Sequence, residues 1–213
     1  MDARVLSVNV GAARLLELGG KRVPSGIFKT PVVCRLRVTE HGFLGDEQAD
    51  RRNHGGPDKA VNVYPSEHLP YWSERLDVVL GPGAFGENLT TAGLSETGVS
   101  IGDVFRIGSA RLQVTQPRQP CAKLSAKHGE PQVHHWVEET GRTGFYLRVL
   151  EPGEIGAGDA IQLESRDPAV ISVLAAYRTM QTFDDPAAIE RLLAVPALST
   201  AWRERLQRRL QRL

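Results

Sequence analysis

The strongest chemical signal in this chain is a thiol set between prolines and cations. Cys121 follows Gln116-Pro117-Arg118-Gln119-Pro120 and precedes Ala122-Lys123-Leu124. The prolines stiffen a turn after an apolar run, and flanking Arg118 and Lys123 favour the thiolate, the form that attacks electrophiles or binds soft metals. A nucleophile served by a histidine base and a soft-metal ligand both fit this pattern. So does an inert thiol packed under a proline corner. Cys34, inside Val32-Val33-Cys34-Arg35-Leu36, reads instead as a small buried hydrophobe on a strand.

Two polar, glycine-bearing segments are the other candidates. Residues 45–60 run Gly-Asp-Glu-Gln-Ala-Asp-Arg-Arg-Asn-His-Gly-Gly-Pro-Asp-Lys-Ala, with almost nothing apolar to pin them to a core. Such loops on a β scaffold often carry function, and the Gly55-Gly56 pair lets the backbone approach a ligand closely. The alternative is a self-neutralising surface loop. Gly81-Pro82-Gly83-Ala84-Phe85-Gly86 is a formal G-x-G-x-x-G. It leads into Glu87-Asn88-Leu89-Thr90-Thr91 rather than a helix, so a tight backbone loop is expected in place of a dinucleotide site. Glu87 and Asn88 remain able to face a polar ligand. The six histidines show no helical metal-ligand spacing and the cysteines no C-x-x-C pair, so nothing points to zinc.

These residues need a scaffold, and the first three quarters of the chain spell short β-rich runs punctuated by glycine. Strands are expected over 5–10, 32–39, 60–63, 77–80, 99–101, 104–107, 111–115, 145–150 and 160–163, with a two-residue hairpin at Gly108-Ser109. Their spacing suggests a closed or partly closed antiparallel barrel. Helices are expected around 66–75 and 131–140, the latter from Val133, Trp136 and Val137 at i, i+3, i+4 and a stop at Gly141. After Glu164 three helical patterns follow. Asp167-Pro168 and Asp185-Pro186 read as starts of the first two, and Ser199 or Thr200 as the cap of the third. The fold class is thus α+β: a mainly β unit over 1–164 and a three-helix unit over 165–213.

Composition narrows the function. The 213 residues carry 26 basic and 25 acidic side chains, a net charge of +1, so no field of one sign suits a nucleic-acid or membrane coat. No apolar run is long enough for a membrane span, and the N-terminus shows no basic leader with a long apolar stretch, which leads to a cytoplasmic expectation. Two cysteines do not make a disulfide framework. Residues 203–213 hold five arginines against one glutamate, leaving a slightly acidic body. That asymmetry suits docking of an acidic redox partner, although a solvated basic helix face explains it too.

Four segments taken together resemble the MOSC-domain family: Phe43-Leu44-Gly45-Asp46-Glu47-Gln48-Ala49-Asp50, His54-Gly55-Gly56-Pro57-Asp58-Lys59-Ala60-Val61, Phe85-Gly86-Glu87-Asn88-Leu89 and the Cys121 segment. With the helical tail, the chain resembles the bacterial 6-N-hydroxylaminopurine resistance branch. The resemblance implies a β-barrel that holds the molybdenum cofactor, with Cys121 as protein ligand to the metal. It also implies reduction of N-hydroxylated bases such as 6-hydroxylaminopurine to the amine, with Cys121, Asp46 and His54 at the chemistry. Lys29, Arg118 and Lys123 would hold the cofactor's phosphate and pterin. Asp50, Glu87, Asn88, Gly55 and Gly56 would line the same pocket. No flavin, haem or iron–sulfur motif is visible, so a reductase would take electrons from a separate protein. A cofactor or sulfur carrier without turnover is the alternative, and monomer and homodimer both remain open.

Overall fold

A computed structural model describes residues 3–50, 55–182 and 184–212. The elements in order are β1 (Arg4–Val10), β2 (Arg14–Leu18), β3 (Lys21–Ser25), β4 (Thr30–Val32), β5 (Leu36–Thr39), β6 (Gly42–Phe43), β7 (Val61–Pro65), α1 (Leu69–Leu76), β8 (Leu89–Ala92), β9 (Val104–Ile107) and β10 (Ala110–Pro117). They continue with α2 (Ala122–His128), α3 (Val133–Thr140), β11 (Phe145–Glu151), β12 (Gly153–Ile155), β13 (Ile161–Ser165), α4 (Val173–Thr182), α5 (Pro186–Leu193) and α6 (Thr200–Leu210). Among the described residues, no helix is long and apolar enough to cross a membrane.

Eight strands form one mixed sheet in the order β13-β9-β10-β11-β7-β8-β1-β4. It is not purely antiparallel: β7 and β8 run parallel, because α1 and the glycine loop carry the chain back to the same end. The sheet curls until the start of β13 reaches the start of β1, one strand in from the β4 end. Arg4 bridges Ala160, Ile161 N–H donates to Ala3 O at 2.8 Å and Val5 N–H to Asp159 O at 2.9 Å. A short bridge rather than a full ladder therefore joins β13 to β1. The expected hairpin at Gly108-Ser109 is present, with Ile107 opposite Ala110. A bulge between Val5 and Ser7 lets Val5 and Val8, three residues apart, both bury in the core.

The alternation of strand residues sorts two cores. Val61, Val63, Phe145, Leu147, Leu112 and Val114 point inward and share one cluster with Val173, Met180, Leu192, Trp202 and Leu206 of the C-terminal helices. The three-helix tail is thus continuous with the sheet's core. A second cluster, with Tyr64, Trp72, Phe85, Leu124, Val133 and Val137, joins α1, α2, α3 and the glycine loop. Phe85 stacks on Tyr64 at 4.3 Å between centroids, and Trp72 Nε1 donates to the Tyr64 hydroxyl at 2.6 Å.

Several expectations need correction. Residues 32–39 do not form one strand: the chain turns between β4 and β5, where Arg35 makes a two-pronged pair with Asp159 at 2.7 and 2.8 Å. Cys34, at that turn, is exposed rather than core. Residues 77–80 are not a strand, because Asp77 adopts a left-handed conformation that caps α1. Asp167-Pro168 starts a turn instead of a helix: Val170 N–H bonds Asp167 O at 3.1 Å and Val170 has φ 48°, so α4 begins only at Val173. The other two caps are as read. Asp185 accepts from Ala188 N–H at 2.9 Å, and Ser199 from Trp202 N–H at 3.3 Å. The β2–β3 hairpin and α2 were not foreseen.

Candidate functional site

A cleft open to solvent at its mouth lies on the outer face of β7 and β11, beside the end of β10. Its position follows from period-two alternation. Val61, Val63, Phe145 and Leu147 point into the main core, so Asn62 and Tyr146, between them, point the other way. The end of β10 delivers Arg118, Gln119 and Cys121; the segment after β3 delivers Ile27 and Lys29; residues 46–50 form another wall. These walls meet because Gly26 allows it: a Cβ there would stand 2.2 Å from Glu47 O.

The structure brings most of the expected residues together here. Lys29, Asp46, Asp50, Asn88, Arg118, Cys121 and Lys123 all line the cleft. Cys121 occupies the position before α2 in extended conformation, its carbonyl accepting from Leu124 N–H at 2.8 Å while its thiol makes no cap bond. The thiol is half-buried. His54 lies outside the described residues. Gly55 and Gly56 do not line the cleft; Gly56 caps the 3₁₀ turn Pro57–Lys59, which sets the half-buried Lys59 in the cleft wall.

Glu87 has a different place. It is fully buried and off the cleft wall, with Oε1 accepting from Gly83 N–H at 2.7 Å and the Thr90 hydroxyl at 2.7 Å, and Oε2 from Phe85 N–H at 2.9 Å. The amides of the G-x-G-x-x-G loop are therefore engaged by the chain's own carboxylate, as a phosphate would engage them in a nucleotide site. Burial raises the Glu87 pKa, against the lowering by these hydrogen bonds and by Lys127. Asp46 is likewise an anchor. It accepts from Lys29, from Gly11 N–H at 3.1 Å and from Asn88 Nδ2 at 2.9 Å, so it positions two cleft residues.

Electrostatics favour an anion. The cleft is lined by Lys29, Lys59, Arg118 and Lys123 against Asp46, Glu47 and Asp50, an excess of one positive charge, with Lys29 and the neighbouring Lys127 largely desolvated. Burial pulls Lys127 down to about 8, partly opposed by Glu87 and reinforced by Arg118 and Lys29. Burial also lowers Lys29, although Asp46 pulls it back up. Arg118 is only 7% exposed, and no carboxylate among the described residues forms an ion pair with it. A buried guanidinium without a counter-ion is costly unless a ligand supplies the charge. Two buried acceptors, Asn62 Oδ1 and Gln116 Oε1, also lack hydrogen-bond partners, at about 1–3 kcal/mol each.

Sequence reasoning noted Lys59 only as part of the 45–60 loop, and missed Asn62, Tyr146 and Lys127. Asn62 and Tyr146 were visible only as polar residues inside apolar strand runs. Lys127 reaches across to Gly83 O at 2.6 Å and Ile27 O at 3.2 Å, a contact no local pattern announces.

Comparison with known proteins defines the class. Residues 50–162 match the MOSC domain model, and the chain belongs to the MOSC-domain family. Residues 182–213 match the YiiM-like, 3-alpha helix domain, which places the chain among MOSC proteins with that appendage. It is 49% identical to the uncharacterized protein YflK of Bacillus subtilis, over 98% of this chain and 95% of that one. The crystal structure of YiiM from Geobacillus stearothermophilus superimposes with a TM-score of 0.84 at 38% identity, covering 98% of this chain and 99% of that one. A protein of Gibberella moniliformis named reductase is 36% identical over 83% of this chain but only 32% of its own length. MOSC domains are associated with molybdenum cofactor binding, and the family includes reductases.

The residues present fit that cofactor. A thiol suits a soft metal-bearing group, and Arg118, which has no carboxylate partner among the described residues, and the excess positive charge suit an anionic pterin phosphate.

Proposed function

We propose that the cleft binds the molybdenum cofactor with Cys121 as its thiolate ligand, and that the protein reduces N-hydroxylated bases to amines with electrons from a separate donor. One observation carries this reading: Cys121 lines the same cleft as Arg118, a buried guanidinium with no carboxylate partner among the described residues. The reaction takes R–NHOH, two electrons and two protons to R–NH₂ and water. When bound, the cofactor supplies the two-electron redox centre for N–O cleavage.

The chain's own residues do the rest. Arg118 and Lys29 neutralise the cofactor's anionic groups, and Asp46 holds the Lys29 ammonium and the Asn88 amide in place. Lys59 Nζ, made less basic by burial, is a proton source in the cleft wall. Lys123 and Asp50 complete the wall. The exposed arginines Arg205, Arg208 and Arg209 on α6 and Arg212 just beyond its end give an acidic donor protein a docking face, and its electron transfer weakens with salt.

The test is metal analysis after expression in a cofactor-producing host. Wild type is expected to carry several-fold more molybdenum than Cys121→Ala; equal, low contents overturn the ligand assignment. Loaded protein is then given 6-hydroxylaminopurine and a reduced donor. Adenine formation supports the reductase, and full loading without turnover favours a carrier.

A further inference from the structure

Three polar side chains lie side by side across the sheet that floors the cleft. Tyr146 on β11 is directly opposite Asn62 on β7 and Gln116 on β10. Residues paired across antiparallel strands share a face, so the three form one row. All are deeply buried, at 6% exposure for Asn62, 8% for Tyr146 and 2% for Gln116. Asn62 and Tyr146 line the cleft, and Gln116 sits one strand further in.

The row is unfinished as a hydrogen-bond system. Asn62 Nδ2 donates to Gly86 O at 3.5 Å and Gln116 Nε2 to Pro117 O at 3.1 Å. Those donations orient both amides and leave Asn62 Oδ1 and Gln116 Oε1 as acceptors with no partner. Between them stands the Tyr146 phenol, which is hydrogen-bonded to the Arg118 guanidinium and so already has a partner. A row of this kind inside an otherwise apolar sheet asks for a flat ligand that brings N–H donors, with the phenol ring as a surface to lie against.

We propose that Asn62, Tyr146 and Gln116 form a subsite that reads an amino-substituted nitrogen heterocycle through its N–H groups. This rests on the cleft being the ligand site described above. Two sources share the chemistry: the aminopurine ring of the substrate and the aminopterin ring of the cofactor. Arg118 and Lys29 take the ligand's anionic part, and the row takes its N–H edge.

Isothermal titration of the full chain, purified from a host that makes no cofactor, tests this with two probe pairs: adenine against purine, and pterin against its 2-deamino analogue. In at least one pair the amino compound is expected to bind about tenfold or more tighter, the size of one buried hydrogen bond. The pair that shows it names the source. Asn62→Leu and Gln116→Leu are expected to erode the preference, while Asn62→Asp, which keeps the acceptor, retains it. A preference below about tenfold in both pairs on wild type overturns the proposal, as does a preference unchanged in both leucine variants. The wild-type comparison needs no variant to fold. Because these titrations read neither molybdenum nor turnover, their failure is separate from failure of the Cys121 assignment.

Discussion

The Lys29 ammonium and the Asp46 carboxylate pair where both are almost removed from water, with side-chain exposures of 7% and 4%. The same carboxylate accepts from Gly11 N–H and Asn88 Nδ2, so it ties three segments of the cleft wall together. Burial lowers the Lys29 pKa despite this partner, which shows how dry the pair is.

Asp46→Ala leaves a buried ammonium with no counter-charge. The expected cost is about 3–5 kcal/mol in urea unfolding, whereas Lys29→Met combined with Asp46→Leu costs much less. A single variant as stable as the double would refute the pair's role as an anchor.

His128 gives an acid limit. Its Nε2 donates to Ala84 O at 3.1 Å, and burial, then Lys127, lower its pKa to about 4 from 6.5. The unfolded chain protonates near 6.5 and the folded one resists until near 4. Its contribution is therefore complete above pH 6.5 and lost as pH falls toward 4. The melting temperature of His128→Gln should fall less steeply than wild type over that window; parallel curves would contradict the assignment.

Gly86 sits at φ +73°, and a Cβ there would lie 2.7 Å from Ile27 Cγ1 and 2.9 Å from Ile27 O. Since Ile27 and Gly86 both line the cleft, Gly86→Ala should lower stability by more than about 1 kcal/mol. It should also reduce molybdenum content. An unchanged melting temperature would show that the wall yields freely.

The two thiols should separate by accessibility. Exposed Cys34 is expected to alkylate first and half-buried Cys121 more slowly, as read by peptide mass spectrometry. Cys34→Ser should leave molybdenum content unchanged, because Cys34 does not line the cleft. Loss of the metal in that variant would move the ligand assignment away from Cys121.

By itself the sequence determined what local chemistry controls. Asp185 and Ser199 cap their helices, Gly141 ends α3 and Gly108-Ser109 turns a hairpin, because each needs only side chains within a few residues. The order of four motifs likewise made the family legible, and with it the candidates Lys29, Asp46, Asn88, Arg118 and Cys121. Only the tertiary structure decided what long-range pairing controls. The Arg35–Asp159 pair across 124 residues breaks a strand and exposes Cys34. Glu87 turns out to hold the glycine loop rather than a ligand, since its donors arrive only when that loop folds around it. Asn62 and Tyr146 become cleft residues because β7 and β11 pair in one register, and a shift of one residue would bury them in the core. Strand register depends on contacts distant in sequence, so no reading of either strand alone could assign that face.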